Sequence, residues 1–160
     1  MEDLHSATQQ HVQLAVLDGT DALVVERISA TRAVPLVAGV GGRLPLHASA
    51  VGQVLLAHAG EELFTVVVRD GLAGFTPRTI TDPAALRVAL AECRRTGAAI
   101  VREEMSPDAY SVAAPVTDSK GRVVAALSVV GADARTHLLL PAVLLAGRGI
   151  SRGMRSGAER

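Results

Sequence analysis

Apolar and polar positions change their period several times along the chain, and each change marks an element. Asp3 to Gln10 is polar with few apolar anchors and reads as a short helix. Val12 to Leu17 is an apolar run that stops at Asp18-Gly19-Thr20-Asp21, the composition of a tight turn. Leu23 to Ile28 resumes with β-branched residues, so the segment predicts a hairpin. Val34 to Ala38 reads as a third short strand, broken by Gly39, Gly41, Gly42 and Pro45. From His47 to Ala59 the period becomes helical: Val51, Leu55 and Ala59 recur every fourth residue, Val54 widens the face, and Ser49 is placed to cap it.

The second half is punctuated more sharply. Glu61 to Arg69 predicts a helix with acids in its first turn, ended by Gly71-Leu72-Ala73-Gly74. Thr81-Asp82-Pro83 is a strong helix start, a capping side chain followed by Pro at the first helical position. Leu86, Ala89, Leu90 and Cys93 then share a face, and Gly97 supplies the stop. Ala98–Arg102 and Ala109–Thr117 read as strands, Asp118-Ser119-Lys120-Gly121 as a turn, and Arg122–Val130 as the returning strand. This hairpin is almost wholly apolar, so both faces should be covered. Leu138 to Arg155 predicts a long closing helix. Hairpin connections mean an antiparallel sheet, and the fold class is α+β, about six strands with helices packed on them.

Composition narrows the function. The chain has 160 residues, enough for one domain with a core, and its 16 Lys+Arg balance 16 Asp+Glu. That balance argues against nucleic-acid binding by this chain alone, which needs a basic excess or face. Phe64, Phe75 and Tyr110 are too few to build a base-stacking surface. The longest near-apolar run, Leu138–Gly147, is about half of the ~20 residues that span a bilayer, and Glu2, Asp3 and His5 do not fit a signal peptide. Cys93 is the only cysteine, which excludes an internal disulfide and makes a reduced, cytoplasmic setting the expectation.

Candidate chemistry is sparse. His47 and Ser49 lie close in sequence, but no G-x-S-x-G elbow accompanies them. The five histidines are scattered, so no metal site is expected. Glu103 and Glu104 are adjacent at a strand end and point to opposite faces, which favours a structural role. Cys93 falls on an apolar helix face and reads as inert core. Gly39-Val40-Gly41-Gly42 lacks a nucleotide-loop pattern. What remains is a glycine turn, then Arg43 to Ser49, then a helix start beside an apolar hairpin. Free N–H groups there make an anion site for a small organic acid, while a helix that simply caps itself with Ser49 weighs equally.

The same residues carry a family resemblance. Gly42-Arg43-Leu44-Pro45-Leu46-His47-Ala48-Ser49-Ala50-Val51-Gly52 with Leu55-Leu56-Ala57 resembles the signature of IclR-type bacterial transcription regulators. So do Leu14 to Gly19, Phe75 to Ile80, Gly97 followed by Glu103-Glu104, Ala113 to Val116, Val123 to Val129, and Ile150-Ser151. The resemblance runs from Leu4 to Met154, with its motifs in the family's order.

That resemblance implies a GAF-like sheet and one effector-binding domain over residues 1–160, without the family's winged helix-turn-helix. Either an excised domain or a natural short relative fits, and Met1 just before the first helix favours the former. The resemblance places the effector pocket at Ala33 and Leu36, at Ala50 and Val51 with their backbone N–H groups, and at Val101, Ala109, Ser111, Ser128 and Val130. Strand alternation agrees that 109 and 111 share a face, as do 128 and 130. Relatives that sense small hydrophilic acids carry an acidic residue where Val101 stands and a second serine where Val130 stands. Gln53 replaces a common lysine, and the sequence offers no account of that. With Ser111 and Ser128 as its only polar side chains, the pocket calls for an effector with an apolar or aromatic body and one carboxylate. The resemblance further implies a homodimer or homotetramer, DNA contact only through the missing domain, no cofactor and no catalysis. A ligand-free oligomerisation module with a degenerate pocket, and a GAF-like enzyme, are the alternatives.

Overall fold

The computed structural model describes residues 1–31 and 38–158. Helix α1 (Glu2–Thr8) stops where Gln9 turns left-handed at φ 55° and its N–H donates to the His5 carbonyl. Strands β1 (His11–Asp18) and β2 (Asp21–Ile28) form the expected hairpin, with Gly19 at φ 63° in its turn. Arg43 holds that turn through its Nη2, 2.5 Å from Asp18 Oδ2.

The expected strand at Val34–Ala38 lies largely outside the described residues, and Ala38 itself is not in a strand. The strand that pairs with β2 is β3 (Arg43–Pro45), inside the stretch expected to break one. The glycines bring it there. Gly41, at φ 82°, donates to the Val24 carbonyl, and Gly42 returns an acceptor to the Val24 N–H. The segment therefore runs alongside β2 before regular pairing begins.

Next come α2 (Ala50–Ala57), α3 (Glu61–Asp70), α4 (Pro83–Thr96), β4 (Ala99–Arg102), β5 (Tyr110–Thr117) and β6 (Val123–Gly131). A 3-10 turn over Ala134–Leu139, capped by Asp133, leads into α5 (Leu140–Ala158). The start of α4 follows the local chemistry: Asp82 Oδ2 accepts from Ala85 N at 3.0 Å, and Gly97 closes the other end at φ 79°.

The six strands of the described residues form one antiparallel sheet in the order β3-β2-β1-β6-β5-β4. The two hairpins meet where β1 pairs with β6. One face packs under α1 and α5 through Val12, Val112, Leu127, Val129 and Val143. Gly147 makes this possible, because a Cβ there would stand 3.0 Å from the Pro115 carbonyl oxygen. Ser151 Oγ then accepts from Thr117 N at 2.9 Å, tying α5 to β5. The expectation that the second hairpin is covered on both sides holds.

The other face packs under α2, whose eight residues are all buried. A helix that is apolar on all sides but for Gln53 must be enclosed on every side. The sheet meets it with small residues, Ala15, Ala113 and Ala126, and α3 and α4 close over the top through Phe64, Val67, Leu86 and Leu90. Ser49 starts the helix: its Oγ accepts from Gly52 N at 3.1 Å and donates to the Pro45 carbonyl at 2.8 Å. Gly52 sits so tightly in this turn that a Cβ would lie 2.6 Å from Leu46 Cα and 2.7 Å from Pro45 O.

Two of the three near atoms at Gly52 are backbone and cannot swing aside, and the third is the Ser49 Oγ that caps the helix. Gly52→Ala is expected to lower stability by about 1–3 kcal/mol despite alanine's better helix propensity. Chemical denaturation checks this; a variant as stable as the parent would show that the 45–52 turn is not rigid.

Candidate functional site

Sheet register builds the floor of a cavity beneath the start of α2. One cross-strand rung runs Ala99, Ala113, Ser128, Gln13 across β4, β5, β6 and β1. The neighbouring rung runs Val101, Ser111, Val130, His11. Residues two apart on a strand share a face, so both rungs look the same way, towards α2. The small side chains of the first rung leave space between sheet and helix.

That space is a cavity of about 50 Å³. Of the residues expected at the pocket, Ala50, Val51, Val101, Ala109, Ser111, Ser128 and Val130 line it together. Ala33 and Leu36 lie outside the described residues. Gln13, Ala38, Leu44, Ala48, Ser49, Met105 and Ser106 also line it. The expectation that Ser111 and Ser128 would be its only polar side chains is therefore corrected, chiefly by Gln13. Gln13 interrupts the otherwise apolar run Val12 to Leu17, which is a local signal. Its position beside Ser128 depends on β1 pairing with β6, more than a hundred residues away in sequence.

Polar groups at the cavity are unevenly satisfied. Ser49 Oγ is engaged in the cap of α2. Ser128 is 1% exposed, and its Oγ is buried with no hydrogen-bond partner. A buried hydroxyl left unpaired costs about 1–3 kcal/mol, so such a group calls for an explanation. The N–H groups of Ala50 and Val51 occupy the first turn of α2, where no intrahelical acceptor exists, and neither has a partner among the described residues.

The remaining candidates are structural. His47 Nε2 lies 2.8 Å from the Ala73 carbonyl oxygen and its ring packs near Phe75, so the His47 ring is not paired with Ser49. Burial pushes the Cys93 thiol up to about 11, which keeps it protonated and unreactive at neutral pH. Among the described residues no group of three His, Cys, Asp or Glu is placed to hold a metal ion. No helix among them is long and apolar enough to cross a membrane.

Glu103 and Glu104 anchor the loop from β4 to β5 that carries Met105 and Ser106. Glu103, at φ 55°, accepts from Asp108 N at 3.1 Å and pairs with Arg78 at 3.4 Å. Thr76 and Thr79 donate to the Glu103 and Glu104 carbonyls, each at 2.5 Å. The Glu104 carboxylate turns inward to Gln53 Nε2, 3.2 Å away, and that same nitrogen donates to the His47 carbonyl at 3.0 Å. This explains Gln53: it is the one polar side chain of a buried helix, and its amide joins the start of α2 to the loop.

A family model described as Bacterial transcriptional regulator IclR C-terminal matches residues 1–147. The chain belongs to the IclR family of transcriptional regulators. It is 38% identical over 130 residues to the HTH-type transcriptional regulator XynR of Escherichia coli K12, covering 81% of this chain and 52% of that protein. It is 38% identical over 136 residues to the HTH-type transcriptional repressor AllR of Klebsiella pneumoniae, covering 84% of this chain and 50% of that protein. The chain thus spans about half the length of the curated relatives it matches. Among solved structures it superimposes on an IclR homolog from Microbacterium hydrocarbonoxydans complexed with 4-hydroxybenzoate. That match has a TM-score of 0.93 at 38% identity, over 98% of this chain and 65% of the other. The α+β sheet is that of IclR C-terminal domains.

Burial raises the Glu104 carboxyl above its ordinary 4.5, against the smaller opposing effects of the Arg102 N–H and Gln53. Between 4.5 and the raised value the folded state binds more protons than the unfolded state, so this group's contribution makes stability fall as pH rises. Glu104→Gln keeps an acceptor for Gln53 and removes the charge. The Tm difference between variant and parent is expected to shift in the variant's favour from pH 4 to pH 7. A difference independent of pH would contradict it.

Proposed function

We propose that this chain is the effector-binding part of an IclR-type regulator, and that the cavity under α2 takes a small carboxylate with a largely apolar or aromatic body. The carboxylate sits at the Ala50 and Val51 N–H groups, where the helix dipole favours an anion. The body lies against Val101, Ala109 and Val130, and Ser111 and Ser128 face it from the sheet. Ala33 and Leu36 complete the proposed lining. The observation that carries this reading is the buried Ser128 hydroxyl without a partner, in a cavity also lined by Ala50 and Val51, whose N–H groups have no partner among the described residues. The 4-hydroxybenzoate bound by the Microbacterium homolog supports the choice of an aromatic acid. Effector binding changes the conformational or oligomeric state of a homodimer or homotetramer, and so the spacing of DNA-binding modules carried elsewhere in the regulator. It does so by binding those states unequally.

One observation favours a second reading, a ligand-free oligomerisation module. A cavity of 50 Å³ has room for about four waters, less than a ring-sized acid needs. Binding therefore requires a wall to move. Met105 is the adaptable part of that wall, an unbranched side chain on the β4–β5 loop.

Thermal shift with benzoate, hydroxybenzoates, hexanoate and gluconate separates the readings. An aromatic or aliphatic carboxylate at ~100 times its Kd should add about 2.7 kcal/mol of stability, with gluconate far weaker. No response at any accessible concentration would favour the ligand-free module, and tight gluconate binding would refute the apolar pocket. Ala50→Pro probes the anion contact. Proline is tolerated at the first helical position, and Ser49 at φ −104°, ψ 148° already has the backbone that proline requires before it. It removes one N–H, and calorimetry should show carboxylate affinity falling about tenfold.

A further inference from the structure

Two glutamines are buried in this domain, and they differ in one respect. Gln53, 3% exposed, has its amide tied to the His47 carbonyl and to Glu104. Gln13, also 3% exposed, lines the cavity, and its amide makes no hydrogen bond among the described residues. Its register partner on β6 is Ser128, the buried hydroxyl that is also unpaired. Directly opposed residues on one face of an antiparallel pair hold their Cβ atoms about 4.5–5.5 Å apart. Two polar side chains with no hydrogen bond to the described residues thus stand side by side on the floor of one cavity.

Resting on the effector site proposed above, we propose that Gln13, with Ser128, is the specificity-determining pair that reads an uncharged hydroxyl on the effector. An amide offers two donors and an acceptor, and a serine hydroxyl offers one donor and two acceptor lone pairs. A hydroxyl matches both, because it can accept from one partner while donating to the other. A carboxylate is acceptor-only and would leave the Gln13 Oε1 facing negative charge without a donor; the α2 N–H groups, all donors, suit it instead. The site therefore divides its ligand's polar chemistry between an anion end and a hydroxyl end. An effector lacking the hydroxyl leaves the pair unsatisfied, which is how a site built to hydrogen-bond a group rejects the analogue without it.

Calorimetry with benzoate and the three hydroxybenzoate isomers tests this on the parent chain, Gln13→Met and Ser128→Ala. In the parent, the best isomer is expected to bind at least tenfold more tightly than benzoate. In Gln13→Met that ratio should fall to within about twofold of one. Ser128→Ala, the smaller change, should reduce the same ratio and keeps the test available if Gln13→Met does not fold. Benzoate binding with no preference for any isomer in the parent, or a preference that survives in the variants, overturns the role of Gln13 and leaves the effector site standing. If none of the four acids binds the parent, this inference is overturned, and the effector-site reading fails with it when hexanoate does not bind either.

Discussion

Everything near the cavity follows from enclosing one helix whose eight residues are all buried. α2 has no solvent side, so the sheet below it must be paved with small residues and the helices above must close over it. Gly52 sets the distance at its start, and Arg94 Nη1 donates to the Ala57 carbonyl at its end, 3.0 Å away. A helix terminus enclosed in this way needs every polar group answered. The carbonyl end and the Gly52 N–H are answered within the protein. The first two N–H groups are not, and the cavity lies where they are. Among the described residues, this end of α2 is where the enclosure is left unfinished.

The same logic sorts the polar residues of the sheet. The face under α5 is apolar throughout its core, and its helix approaches as closely as Gly147 allows. The face under α2 carries Gln13, Ser111 and Ser128 among its alanines and valines. Polar groups on a buried face are costly unless paired, and a fold selected only for packing would replace them with apolar groups of similar size. Glu104 shows the contrast. It too is drawn inward, but it meets Gln53 and the Arg102 N–H, and it serves to fix a loop.

Legibility in the sequence followed the range of the interactions. The helix at Pro83–Thr96 was readable because Asp82, Pro83 and Gly97 act within a turn of their own positions. The two hairpins were readable because their turns are local. The strand at Arg43–Pro45 was missed because three residues that follow a glycine turn carry no period; it exists only through β2 beside it. At the cavity, the residues expected from the family resemblance come together where they are described, whereas Gln13 does not follow from residues near it. Its neighbour in space is fixed by the pairing of the first strand with the last, and no local pattern encodes that pairing.

That pairing has a consequence for the order of events during synthesis. The floor rung joins residue 13 to residue 128, so it cannot close until β6 has left the ribosome. Until then β1 is paired on one side only, and the apolar face meant for α2 lacks its centre. Contacts of such long sequence separation form late and slowly. The nascent chain therefore passes most of its elongation with a hairpin edge exposed, the condition under which chaperone capture or mispairing between chains competes with folding. A small molecule that recognises the finished cavity has nothing to bind before that moment, so it can stabilise the completed domain but cannot template its assembly.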